Sequence, residues 1–212
     1  MSALHTFVDF VLHLDRHLAG IIKDYGAWTY GILFLIVFCE TGLVILPLLP
    51  GDSLLFAGGS FAALGSLNPW ILFIGLSAAA IIGDNLNYWI GRKIGPRAFS
   101  GNIRYLNPEY LERTKAFFAK HGTRTIVLAR FVPIIRTFTP FVAGVGAMPY
   151  GRFLAYDVGG GILWVGLFTW AGYFFGNLPV VHKNFSIVIM AIIVVSALPM
   201  IIELVRNRKS GR

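Results

Sequence analysis

Hydrophobic residues fall in long runs along this chain, and the way those runs are completed or interrupted carries most of the information. Three runs are complete: Pro69 to Ile90, Phe153 to Phe175, and Phe185 to Leu204. Each is close to the roughly 20 residues that a helix needs to cross hydrocarbon. Two other runs are broken. The first, Gly31 to Leu67, is interrupted at Leu46-Pro47-Leu48-Leu49-Pro50-Gly51-Asp52. Its second arm, Ser53 to Leu67, reaches only about 22 Å at 1.5 Å per residue, short of a hydrocarbon core of roughly 30 Å. The second run, Thr125 to Met148, is interrupted by Pro133, Pro140, Gly144 and Gly146 and has Arg130 and Arg136 embedded in it. Irregular backbone at membrane depth is tolerated where it is buried in protein or lines a watery cavity. Both broken runs are therefore expected to be re-entrant hairpins, with Pro47, Pro50 and Gly51 at the tip of the first and Pro133 and Pro140 at the tip of the second.

Charge fixes how these elements face. The stretch from Gly91 to Arg124 holds eight basic residues against Glu109 and Glu112, a surplus of +6, and is expected to be cytoplasmic. The tail after Leu204 adds Arg206, Arg208, Lys209 and Arg212 without an acid and belongs on the same side. Two full spans between loop and tail satisfy both placements only if 125–148 returns to the side it entered from. One full span separates the two hairpins, so the first enters from the outer face and they point at each other. Paired broken segments of this kind are the mark of an inverted-repeat transporter with a midplane site. A faint echo of a repeat is visible in Tyr88-Trp89-Ile90-Gly91 and Tyr173-Phe174-Phe175-Gly176.

The whole chain, 1–212, reads as one all-α integral membrane domain. It comprises an amphipathic N-terminal segment at 1–26, a hairpin at 31–67, a span at 69–90, a basic loop at 91–124, a second hairpin at 125–148, spans at 153–175 and 185–204, and a basic tail at 205–212. Within the basic loop, Asn107 and Pro108 are placed to start a helix and Gly122 to end it. Its Tyr110, Leu111, Thr114, Phe117 and Phe118 share one face, as an inner-leaflet helix requires.

Composition agrees. Of 212 residues 56% are hydrophobic and 13% charged, where a soluble domain carries roughly 25% charge. Asp9, His13, Asp15, Arg16 and His17 interrupt the apolar run that a cleaved signal requires. Cys39 is the only cysteine, which excludes an intrachain disulfide and a thiolate zinc cluster. The formal charge of +8 sits beside the spans, where it sets orientation and meets lipid headgroups rather than nucleic acid. The five histidines show no metal-ligand spacing, and Gly159-Gly160-Gly161 reads as close helix packing rather than a phosphate loop.

Ionisable residues inside a membrane are costly and mark functional sites. Glu40 and Asp52 are carboxylates that can exchange a proton during a transport cycle. Arg130 and Arg136 keep their charge and match phosphate oxygens in bidentate geometry. A purely structural alternative pairs Glu40 and Asp52 with Arg130 and Arg136 to pin the hairpins together. Asp84, with Asn85 and Asn87, is a polar patch that serves either local hydrogen bonding or the pathway. Asp157, near Arg152 and the interface, reads as structural. An enzyme acting on a lipid phosphate needs a nucleophile or a metal as well, and no nucleophile and base are visibly paired. No cofactor and no enzyme activity are expected.

Three motifs in order, Phe38 to Leu55 (Phe-Cys-Glu-Thr-Gly through Leu-Pro-Gly-Asp-Ser-Leu-Leu), Gly83 to Arg92 (Gly-Asp-x-x-x-Tyr-x-x-Gly-Arg) and Ala129 to Thr137 (Ala-Arg-Phe-Val-Pro-x-x-Arg-Thr), resemble the DedA family of membrane proteins. That family shares the VTT domain with eukaryotic lipid scramblases. The resemblance implies re-entrant hairpins, the bacterial inner membrane, and lipid translocation linked to the proton motive force, with undecaprenyl phosphate or phosphatidylethanolamine as substrate. It also implies that Glu40 and Asp52 are the family's essential acids and Arg130 and Arg136 its essential arginines. A small-ion or proton antiporter using the same groups, and a membrane organiser without transport, stand as alternatives. A homo-oligomer is compatible with all three.

Overall fold

The computed structural model describes residues 14–43, 51–94, 114–116, 118–119, 121–179, 181, 184–185, 187–192 and 194–195. Most of these are helical, with no strand among the described residues. The first helix, α1, is Leu14–Tyr25; Gly26, at φ +52°, turns the chain into α2, Trp28–Gly42. Pro47 and Pro50 lie outside the described residues, and α3, Gly51–Ala63, starts directly after them. A turn through Gly65, at φ +78°, leads to α4, Pro69–Ile94. The start of α4 is fixed locally: Asn68 Oδ1 accepts the N–H groups of Trp70 and Ile71 at 3.0 and 3.1 Å, with proline in the first helical position behind it.

Gly122, expected to end the helix within the basic loop, has φ +59° and opens a 3-10 turn at Gly122–Arg124; Asn107, Pro108 and the 205–212 tail lie outside the described residues. A helical stretch then runs through α5, Thr125–Leu128, and a tight 3-10 turn at Ala129–Phe131, and breaks at Val132 (φ −125°, ψ 102°). Beyond the break comes α6, Pro133–Val145, and after the turn at 146–149 comes α7, Tyr150–Phe175. Pro140 was expected to interrupt this region, but α6 runs straight through it. A proline inside a helix removes one backbone bond and pushes away the carbonyl one turn back, here that of Arg136, and side chains bond the carbonyls on either side of it. Thr139 donates to the Ile135 carbonyl at 2.6 Å, and Asn87 of α4 donates to the Thr137 carbonyl at 2.7 Å. Asn87 also reaches the Thr41 carbonyl at 3.3 Å, so one amide ties α2 to α6 across α4. The second region is interrupted at Val132-Pro133 and at Gly146, where α6 ends, while Gly144 lies inside α6.

Among the described residues two helices are long and apolar enough to cross a membrane, α4 and α7, both longer than the expected 69–90 and 153–175. They run antiparallel. At one end the Trp70 ring meets Trp170 with centroids 5.2 Å apart; at the other Trp89 meets Tyr150 at 5.4 Å. Nineteen residues from Trp70 to Trp89 span about 28 Å at 1.5 Å per residue. That is the thickness of hydrocarbon between two aromatic interfacial belts. Between the belts Ile71, Ile74, Ile82, Ile162, Leu163 and Leu167 are exposed, as a lipid-facing surface requires. Phe185 and Ile189, from the start of the expected last span, pack into the main core, with the Phe185 ring 6.1 Å from Phe56; the rest of 196–204 lies outside the described residues.

The chain repeats itself with its halves crossed. Each half carries a 13-residue helix followed by a 26-residue one: α3 then α4, α6 then α7. Each short helix packs on the long helix of the other half, α3 on α7 and α6 on α4. Glycines make both crossings. Gly91 of α4 lies on the Phe141 carbonyl and Gly144 of α6 on the Tyr88 carbonyl; Gly172 of α7 lies on the Phe56 carbonyl and Gly59 of α3 on the Thr169 carbonyl. A Cβ at any of the four overlaps backbone. Gly91 and Gly172 each stand 22 residues past the start of their helix, so the contact is the same one made twice. This correspondence pairs Gly91 with Gly172, one helical turn earlier than the Tyr-x-x-Gly echo in the sequence.

Candidate functional site

The four charged residues singled out in the sequence are all buried, but they form two clusters rather than one. In the first, Arg136 sits in the opening turn of α6 and spreads its guanidinium between two acids. Its Nη1 donates to Asp52 Oδ1 at 2.8 Å, and its Nη2 pairs with Glu40 Oε1. Asp52 stands in the first turn of α3, where a carboxylate suits the positive end of the helix dipole. Glu40 comes from the last turn of α2, which closes on α4 through Gly42 against Gly83. Gly51 lies directly on the Glu40 carboxylate, where a Cβ has no room. Trp164 of α7 completes the cluster: its indole N–H donates to Asp52 Oδ1 at 2.8 Å, and its ring lies 4.7 Å from the Arg136 guanidinium carbon. The N-termini of α3 and α6 thus converge on one point, as the half-helices of transporters do around a substrate.

In the second cluster Arg130, 2% exposed, donates through Nη2 to Asp84 Oδ2 at 2.6 Å and to Asp157 Oδ1 at 2.5 Å. Asp84 comes from α4 and Asp157 from α7, so Arg130 bridges the two long helices. The reading of Asp157 as an interfacial neighbour of Arg152 is corrected here: it is 0% exposed and bound to Arg130. Room for the guanidinium comes from Gly160 and Gly161, whose positions for a Cβ lie 3.1 and 3.4 Å from Arg130. Gly160 and Gly161 are therefore packing residues, as the composition suggested, and they admit an arginine, whereas Gly159 faces open space. Asn85 steadies Asp157 from the other side, donating to Oδ2 at 3.2 Å, and Tyr150 donates to Asn85 Oδ1 at 2.8 Å.

The pairing alternative is half right. Glu40 and Asp52 do pair with an arginine, but both with Arg136; Arg130 takes Asp84 and Asp157 instead. Sequence reasoning missed Trp164 and the depth of Asp157. For Asp157 a signal was available, because it is the only charged residue between Phe153 and Phe175 and precedes the glycine run that opens space beside it. Each cluster holds one arginine and two carboxylates, so when all are ionised each carries a formal charge of −1. Two paired helices of membrane length, crossed short helices and buried ionic clusters at their junctions define an integral membrane protein built around internal charge.

The comparisons with known proteins narrow this class. The VTT domain matches residues 49–174, which takes in α3, α4, α6, both arginines and nearly all of α7. The chain belongs to the DedA family of VTT-domain membrane proteins. It is 52% identical to Protein DedA of Escherichia coli K12 over 214 aligned residues, covering 100% of this chain and 98% of that one. An uncharacterised membrane protein of Mycobacterium leprae is 49% identical over 79% of this chain and 75% of its own. Inner membrane protein YghB of Escherichia coli K12 is 32% identical over 83% of this chain and 78% of its own. These relatives support a bacterial inner-membrane location. No solved structure matches the chain.

Proposed function

We propose that the protein moves a phosphate-bearing lipid across the inner membrane in exchange with protons. The observation that carries this reading is the Arg136 cluster. A guanidinium at the meeting point of two helix N-termini is an anion site, and its occupants in this structure are the protein's own carboxylates, Glu40 and Asp52. Protonation of either carboxylate weakens its hold on Arg136 and leaves the fork open to the oxygens of a phosphate headgroup. Deprotonation closes the fork and expels the headgroup. Arg130, held by its own two acids, offers the same exchange. In this reading α2 with α3, and residues 125–131 with α6, are re-entrant hairpins. Helices of 15 and 13 residues reach about 22 and 20 Å, less than a full crossing. The Trp89–Tyr150 end faces the cytoplasm, with Arg92 and Lys93 following it, and the C-terminal tail lies on that side too. No catalytic step is assigned to the protein.

The surplus negative charge of the clusters favours one further reading, antiport of a small cation against protons. One experiment separates the two. The translocation of labelled undecaprenyl phosphate and of labelled phosphatidylethanolamine is followed in proteoliposomes with and without a pH gradient. Wild type is compared with folded Glu40→Gln and Arg130→Ala proteins. Movement of one lipid that depends on the gradient and is abolished by both substitutions supports lipid transport and names the substrate. Proton flux driven by a cation gradient with no lipid movement supports antiport instead.

A further inference from the structure

The Arg130 cluster is more than a second copy of the first. Asp84 lies five residues before Trp89 and Asp157 seven after Tyr150, which puts the pair about 8 to 11 Å inside that end of the long helices. Trp164, which marks the Arg136 cluster, lies seven residues further along α7, about 10 Å deeper. The two clusters are stacked along the membrane normal. The two carboxyl groups of the outer pair share a single nitrogen, Arg130 Nη2, at 2.6 Å from Asp84 Oδ2 and 2.5 Å from Asp157 Oδ1. Their four oxygens have three donors between them: Arg130 Nη2 to Asp84 Oδ2 and Asp157 Oδ1, and Asn85 Nδ2 to Asp157 Oδ2. The fourth oxygen, Asp84 Oδ1, is buried and has no donor among the described residues.

The groups facing this pair leave its charge unbalanced. From α4 come Asp84 and Asn85; from α7 come Asp157 and, through Asn85, Tyr150; from the 129–131 turn comes Arg130. Arg136 of α6 is within electrostatic reach of Asp84 but already has two carboxylates of its own. One positive charge thus faces two buried carboxyl groups held on the same nitrogen, and two ionised carboxylates sharing a site repel strongly. We propose that Asp84 and Asp157 hold one proton between them, so that this pair is a proton-binding site separate from Glu40 and Asp52. Asn85, fixed by Tyr150 at the membrane end, positions Asp157 to receive it. The proton makes the cluster neutral.

The test reads protonation directly, without transport, so that its failure and the failure of the lipid-transport reading are distinguishable. Infrared spectra of the purified full-length protein in lipid nanodiscs at neutral pH are recorded in the carboxylic-acid C=O region, with H/D exchange. Wild type is compared with Asp84→Asn, Asp157→Asn and Glu40→Gln. Each of the two aspartate substitutions is expected to remove one and the same carboxylic-acid component, because the remaining acid then pairs with Arg130 as a carboxylate. Glu40→Gln leaves that component in place. Both single variants fold, since asparagine mimics the protonated acid, whereas the Asp84→Asn/Asp157→Asn double variant leaves Arg130 uncompensated and unfolds at lower temperature. Spectra of both single variants identical to wild type overturn the proposal, because both acids are then ionised in wild type. So does failure of both single variants to fold, because the cluster then requires two negative charges.

Discussion

Trp164 and Arg136 donate to the same carboxylate oxygen of Asp52, each at 2.8 Å, while the indole ring lies beneath the guanidinium. One residue therefore holds both partners of an ion pair. Trp164→Phe keeps a ring under Arg136 and removes the N–H; a lost hydrogen bond to a buried charged group costs about 1.5 to 3 kcal/mol. Trp164→Leu also removes the cation–π contact, worth about 2 kcal/mol when desolvated. Thermal unfolding in detergent is expected to rank wild type above Phe above Leu, and lipid translocation to fall in the same order.

Arg136→Lys retains the charge but loses the fork. A single ammonium cannot reproduce the planar bidentate geometry, so it keeps one of Glu40 and Asp52 and releases the other. Translocation in proteoliposomes is expected to fall by roughly tenfold or more, the scale of a lost charged hydrogen bond. Activity equal to wild type would show that Arg136 acts only as a point charge.

Gly91→Ala and Gly172→Ala each drive a methyl into backbone of the opposite half. Overpacking of this kind costs about 1 to 3 kcal/mol. The two sites lie at opposite ends of the molecule, so their effects are expected to add in the double variant. Gly75→Ala and Gly159→Ala, where a Cβ meets nothing within 4 Å, are expected to be neutral or to stabilise by up to about 1 kcal/mol through helix propensity. Melting curves of the five proteins check all of this.

Trp70 and Trp89 are 61% and 44% exposed, and Trp164 is 0% exposed. In single-tryptophan variants, lipids brominated near the headgroup are expected to quench Trp70 and Trp89 strongly. Trp164 is expected to respond to no bromine position. Quenching of Trp70 by bromine at the chain ends would move the membrane away from the belts defined by α4 and α7.

The spans in Pro69–Ile94 and Tyr150–Phe175 were legible from run length, which outweighs even the Gly159-Gly160-Gly161 run in the second. The short arms were legible as short, because Pro133 and Gly51 mark their starts. Pro140 misled, because α6 is held around it by Thr139 and by Asn87, fifty-three residues away, and no local pattern reveals a distant amide. The four charges were found for the same reason that they are unusual, being ionisable residues amid hydrocarbon. Their partition into two clusters was not legible, since it depends on α3 crossing to α7 and α6 to α4. The glycines that permit those crossings look in sequence like any other glycines of an apolar helix.

The crossed halves also govern how the protein is born. α3 leaves the ribosome more than a hundred residues before the end of α7, the helix it must lie against, and Asp52 meets no arginine until Arg136 arrives. The N-terminal half therefore enters the membrane as an unfinished surface, and the C-terminal half supplies its mould. Cutting the chain in the basic loop leaves two fragments, each lacking the long helix its short helix needs. Expressed together they are expected to assemble, and expressed singly each is expected to be degraded.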